Sequence, residues 1–169
     1  MFKRILGLVA ALSAALLLST TPASAAVGNA HFVNGGTDAA ASGSSLVVHF
    51  KEAGLASGST EYITTTADAS VTYECVNGGS HNPSASNKTT TQTTVTAPPQ
   101  PFTADKNGNV TGTQTLSVPT AQSLGFSCPK GQTMTLVSVA YTGVTLTDTT
   151  SGATTAFTGP YTYTNLSAP

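Results

Sequence analysis

The sequence predicts an all-β protein: a sandwich of about seven to nine short antiparallel strands, preceded by a signal peptide that is cleaved. Three observations carry this. Apolar and polar residues alternate in short runs, as in Leu46-Val-Val-His-Phe-Lys51, where Leu46, Val48 and Phe50 face one way and Val47, His49 and Lys51 the other. Threonine dominates and only 8% of residues are charged, and a β-branched residue fits a pleated, half-solvated face. Turn residues recur between the runs, with no helical period after the first 25 residues. A sheet closed into a barrel is the alternative arrangement.

The N-terminal element is read from its order of charge, apolarity and size. Lys3 and Arg4 form a basic head, Ile5 to Leu18 is uncharged and apolar, and Ala23-Ser24-Ala25 places small residues before a cleavage site between Ala25 and Ala26. The apolar run falls short of the ~20 residues that cross a bilayer. The basic pair lacks the second arginine of a twin-arginine signal, and no cysteine lies near the cut for lipid attachment. Cutting the 169-residue chain after Ala25 leaves 144 residues, expected to form one soluble, secreted domain over 26–169 with 26–43 as a loose N-terminal arm.

The strands follow in order. His31-Phe32-Val33 is a short first strand, and 46–51 the second, broken by Gly54 to Gly58. Glu61 to Ala67 and Ser70 to Val76 are the next two; in the latter Val71, Tyr73 and Cys75 share a face, while Thr72 and Glu74 look out. Asn77 to Asn87 is the longest loop by its turn residues. Thr89 to Ala97 follows, and Pro98-Pro99-Gln-Pro101 argues for a sheet edge or a switch of sheet. Phe102 to Ala104 and Val110 to Val118 flank Asp105-Lys-Asn-Gly-Asn109, a hairpin signal. Pro119 to Gln132 is a loop carrying Cys128. Thr133 to Tyr141 and Val144 to Asp148 form one long strand bulged at Gly143, and Ala153 to Tyr163 returns after Ser151-Gly152. The pattern matches an immunoglobulin-like sandwich, although the chain has no tryptophan and Cys128 sits in a loop.

Charge excludes function classes. Four lysines, no arginine and seven acids remain after residue 25, a net charge of −3. Nucleic-acid binding needs a basic patch, so nucleic acid is not a partner, and anionic lipid is unfavourable for the same reason. Cys75 and Cys128 both lie in the exported part, where an oxidising compartment makes a disulfide the expectation. Neither sits in a CxxC or at ligand spacing from a histidine, which argues against a metal pair.

The remaining residues offer candidates and plainer explanations. His31, His49 and His81 are ordinary strand or surface histidines unless cleavage falls after Ala30, which would leave His31 as an N-terminal copper ligand on a β-sandwich. Asp105 to Asn109 resembles the start of a calcium loop, but glycine stands fourth and position twelve is Leu116, so a turn explains it better. There is no GxSxG or SxxK, and no pair of the seven acids identifies itself for glycoside cleavage. No catalytic, cofactor-binding or metal residue is therefore assigned, and the chain is expected not to be an enzyme. Thr113-Gln-Thr115 and Thr145-Leu-Thr147 read as solvent-facing threonines, without the repeats of an ice-binding array. Asn87, Asn109 and Asn165 fit the glycosylation sequon, coincidentally in a chain with a bacterial-looking signal. Tyr62, Tyr73, Tyr141, Tyr161 and Tyr163 are candidates for sugar stacking, or for core packing.

Phe50-Lys-Glu-Ala-Gly-Leu55, Thr72-Tyr-Glu-Cys-Val-Asn-Gly-Gly79 with Pro83 and Asn87-Lys88, and Ser127-Cys-Pro129 are similar to segments of small secreted β-rich actinobacterial proteins of unknown function. The resemblance covers most of residues 31–148. It implies the disulfide and the sandwich and carries over no catalytic residue; an early cysteine pair found in some of these proteins is missing. The expected function is that of a secreted, non-enzymatic surface or envelope-associated interaction module, with extracellular polysaccharide or protein as partner. A small carbohydrate-binding module is the alternative.

Overall fold

The computed structural model describes residues 29–77 and 87–166. The signal peptide, the Ala25/Ala26 site, His81 and most of the Asn77–Asn87 loop lie outside them. Among the described residues the chain is all-β, with two antiparallel sheets and no helix. The strands are β1 (His31–Phe32), β2 (Asp38–Ser42), β3 (Ser45–Ala53), β4 (Thr60–Asn77), β5 (Lys88–Thr96), β6 (Gln100–Thr103), β7 (Val110–Leu116), β8 (Gln132–Asp148), β9 (Thr154–Phe157) and β10 (Tyr161–Thr164).

In the first sheet β3 is central, with β1 and β2 sharing one edge and β7 on the other. In the second, the long strands β4 and β8 run antiparallel down the middle. β5 and β6 lie end to end along the free edge of β4, and β9 and β10 along that of β8. The Pro98-Pro99 interruption thus marks an edge, where a missing N–H costs no ladder bond.

The expected phase of β3 holds. Leu46, Val48 and Phe50 are fully buried and pack in one core with Ile63, Val71, Val139 and Leu146 of the second sheet. Two side-chain hydrogen bonds tie the sheets across this core, the arrangement of a β-sandwich. Gln114 Nε2 donates to the Ile63 carbonyl at 2.7 Å, and the Tyr141 hydroxyl donates to the Ser44 carbonyl at 2.8 Å. Burial pushes that hydroxyl's pKa up to about 12, so it stays a donor at any ordinary pH. Cys75 of β4 is bonded to Cys128 in the β7–β8 connection, Cα to Cα 5.5 Å, which fits an oxidising, extracellular compartment.

The bulge expected at Gly143 is present. Thr66 pairs with Thr145 and Asp68 with Thr142, so Gly143 and Val144 together oppose Ala67, and Gly143 takes a φ of +57°.

Five expectations are corrected. The return expected over Ala153–Tyr163 is two strands, β9 and β10, which brings the total among the described residues to ten rather than seven to nine. The strands expected at 61–67 and 70–76 are one continuous strand, because the bulge in β8 absorbs the register change without breaking β4. Residues 38–42, read as part of a loose arm, form β2, paired to β3 from Ser42↔Ser45 to Asp38↔His49 across a Gly43-Ser44 turn. The runs flanking Asp105–Asn109 do not form a hairpin: β6 belongs to the second sheet and β7 to the first. The turn itself is tight. Asp105 N–H donates to Asn109 O at 2.8 Å, and Asp105 Oδ1 accepts the Asn107 and Asn109 N–H groups. Those N–H groups, Asn109's first, hold the Asp105 carboxyl below the ordinary range. Lastly, Glu74 has the outward phase expected but is fully buried. It sits between β5 and β8, opposite Lys88 and Thr135, and Lys88 Nζ lies 3.2 Å from its Oε2, covering it with a long side chain.

The crossover turn yields a prediction. Gly108 has φ +72°, and a Cβ there would land on the Leu55 carbonyl oxygen, whose residue's N–H donates to Gly108 O at 3.1 Å. Gly108→Ala should cost about 2–4 kcal/mol in a urea unfolding titration, combining left-handed strain with a backbone clash. An unchanged midpoint would contradict this reading of the turn.

Candidate functional site

Two features stand out from the hydrophobic core, one on the surface and one inside. The first is the outer face of the second sheet. The outward residues of β5, β4 and β8 align in cross-strand rows: Thr96 with Thr66 and Thr145, Thr94 with Asp68 and Thr142, Thr90 with Thr72 and Ser138. The side chains bond to each other. Thr72 and Thr90 hydroxyls are 2.8 Å apart, Thr66 and Thr96 3.3 Å, and the Thr94 hydroxyl donates to Asp68 Oδ1 at 2.9 Å. The face dips where Ala140 stands among taller neighbours. The hollow, about 200 Å³, is lined by Asp68, Ser70, Gln92, Ala140 and Thr142. It offers one exposed carboxylate, an amide and several hydroxyls.

The aromatic candidates are dispersed. Tyr73 and Tyr141 are buried, with Tyr73 OH bonded to the Pro119 carbonyl at 2.8 Å. Tyr161 and Tyr163 share a face of β10, as the pattern predicts, but are half-buried against the core. Tyr62 alone among the described tyrosines is largely exposed, at 48%. It has the outward phase of β4, on the same face as Thr64, Thr66 and Asp68 and roughly 20 Å from the latter.

The histidines do not converge either. His31 lies in β1, opposite Ala53, with Nδ1 2.7 Å from the Asn29 carbonyl. His49 lies on the outer face of the first sheet, 3.0 Å from the Thr113 hydroxyl. Thr113 and Thr115 are exposed there, as solvent-facing threonines should be. Among the described residues no three His, Cys, Asp or Glu side chains form a metal-binding set, and no helix is long and apolar enough to cross a membrane.

The second feature is one the alternation pattern could have revealed but did not. Glu52, Glu61 and Asp148 are exposed by 0%, 2% and 0% and meet at one end of the sandwich. Glu52 continues the inward phase of Leu46, Val48 and Phe50, Glu61 that of Ile63, and Asp148 that of Val144 and Leu146. The Ser151 hydroxyl donates to Glu52 Oε1 at 3.1 Å, the Ser59 hydroxyl to Glu61 Oε1, and the Thr150 N–H to Asp148 Oδ1 at 2.8 Å. Burial, and then the neighbouring Asp148, push the Glu52 pKa up to about 7. Burial likewise raises that of Glu61.

Compared with known proteins, the chain matches no family model, no curated protein and no solved structure.

Proposed function

We propose that this chain is an exported, non-enzymatic interaction module, an immunoglobulin-like sandwich that works through the outer face of its β5–β4–β8 sheet. The single observation behind this reading is the composition of that face. It is a broad plane of hydroxyls, with the Gln92 amide, around a hollow holding Asp68, with little charge to attract an ionic partner. Such a surface suits an uncharged, hydrogen-bonding partner met directly or through water, such as an extracellular polysaccharide or the polar surface of an envelope protein. The basic, apolar and small-residue order of residues 1–25 supports export, and the Cys75–Cys128 bridge is consistent with it. The crossing from β6 in one sheet to β7 in the other supports the immunoglobulin-like assignment. With Cys128 in a connection and no tryptophan, the domain is not of antibody type.

A carbohydrate-binding module is the second reading, and Tyr62 is the observation that favours it: an exposed ring on the same face as the polar hollow gives a sugar chain one stacking platform. Both readings are tested by retention of the secreted protein on insoluble polysaccharides and cell-envelope preparations. Retention is expected, reduced at least tenfold by Thr94→Lys together with Gln92→Lys, which place charge over the hollow. If Tyr62→Ala also reduces retention on a polysaccharide, the carbohydrate reading is favoured. A protein retained by none of these materials ends both readings.

A further inference from the structure

We propose that Glu52, Asp148 and Glu61 form a proton-holding latch between the two sheets, closed while protons bridge the carboxyl groups and released when they leave. Glu52 belongs to β3 of the first sheet; Glu61 and Asp148 belong to β4 and β8 of the second. Asp148 is the centre: it stands opposite Ile63 in register, the turn that follows it bonds the Tyr62 backbone next to Glu61, and the same turn carries the Ser151 hydroxyl that bonds Glu52. Each outer oxygen has its donor, from Ser151, Ser59 or the Thr150 N–H. The second oxygen of each group, Glu52 Oε2, Glu61 Oε2 and Asp148 Oδ2, is buried and receives no N–H or O–H from the described residues. An ionised carboxylate only accepts hydrogen bonds. Two such oxygens brought together in a buried site repel unless one carries a proton, which turns the repulsion into an O–H···O bond.

Among the described residues no cationic side chain pairs with these carboxyl groups. Opposite Glu52, β1 contributes Phe32 and β7 contributes Val110; opposite Glu61, β6 contributes Phe102. The connecting turns contribute Ser59, Thr150 and Ser151. His31 is exposed and turned to the Asn29 carbonyl, Lys51 is exposed on the other face of β3, and Lys88 is engaged by Glu74 toward the far end of β4. Among the described residues the charges acting on Glu52 are those of Asp148 and Glu61.

Two protons close the two contacts. Losing one leaves facing carboxylates that can be relieved only by water entering and by β3 moving away from β4 and β8. The sign follows from linkage. Glu52 binds its proton up to about pH 7 in the folded chain but only to about 4.5 when unfolded. The folded state therefore holds the extra protons, and stability present below pH 4.5 is lost as pH rises through 7.

The test is thermal unfolding of the secreted protein from pH 4.5 to 8, with and without 10 mM calcium chloride, beside Glu52→Gln. The wild-type midpoint should fall by roughly 5–10 °C across this range. Glu52→Gln, whose amide supplies the N–H that the proton supplied, should flatten the profile. Because that variant could fail to fold, proton release is also measured for the wild type, by calorimetry at pH 6 in buffers of different ionisation enthalpy; unfolding should release about one to two protons, Glu52 supplying the first and Glu61 part or all of the second. A midpoint that is flat or rises with pH, or unfolding without proton release, would overturn the latch. So would full recovery of the pH 8 midpoint by calcium, which would make the cluster a cation site.

Discussion

Replacing Cys75 and Cys128 together by alanine should lower the unfolding midpoint by roughly 10–15 °C, a loss of about 4 kcal/mol. The bridge closes a loop of 53 residues, and the chain-entropy account puts the constraint on the unfolded state near 4 kcal/mol. That is a large share of the 5–15 kcal/mol that holds most domains folded. Cys75 is buried in β4, opposite Met134 of β8, so its bond pins the long β7–β8 connection against the central strand pair. Without it the connection from Ser117 to Gly131 is held by the Tyr73 hydroxyl on the Pro119 carbonyl, the turn from Thr120 to Phe126, and the packing of Val118, Ala121, Leu124 and Phe126 on the core, all of which lie before Cys128. The loss should therefore appear as increased amide exchange in this connection before the rest of the fold yields. The same comparison can be made on the wild type by adding reductant. An equal midpoint in both redox states would show that the bridge contributes no stability.

How much could be read in advance depended on whether the information was local. The inward phase of β3, the bulge at Gly143 and the edge position of the Pro98-Pro99 break each follow from a few neighbouring residues, and each holds. The Asp105–Asn109 turn was legible for the same reason, yet a tight turn does not say whether the strands it joins share a sheet, and here they do not. β2 escaped because Asp-Ala-Ala-Ala-Ser has no β-branched or aromatic residue; only its pairing with β3 makes it a strand. Glu52, Glu61 and Asp148 each have the alternation of a core residue, but charge reads locally as solvent-facing. What makes their burial tolerable is that three carboxyl groups from two sheets meet, a fact of tertiary structure. The polar face is legible as threonine-rich strands, while the hollow at Asp68 depends on the register that sets Ala140 and Thr142 beside it.

Phe50→Ala should cost about 3–5 kcal/mol in urea or thermal unfolding, the largest effect of any single core truncation here. Phe50 is fully buried and is the middle ring of three. It meets Phe32 of β1 edge-on at 6.0 Å and Phe102 of β6 at 5.1 Å. Since β1 belongs to the first sheet and β6 to the second, the ring joins strands that share no ladder, and its loss removes both aromatic contacts as well as buried area. Phe50 also stands opposite Gly112 in register. A Cβ at Gly112 would run into the rings of Phe50 and Phe102, so the glycine supplies the room the aromatic cluster uses. Gly112→Ala alone should therefore cost about 1–3 kcal/mol by overpacking, and combined with Phe50→Leu it should cost less than the sum of the two single changes. A double mutant whose loss equals that sum would show that ring and glycine do not share the space. If Phe50→Ala cost less than 1 kcal/mol, the three-ring contact would not be holding the sheets together.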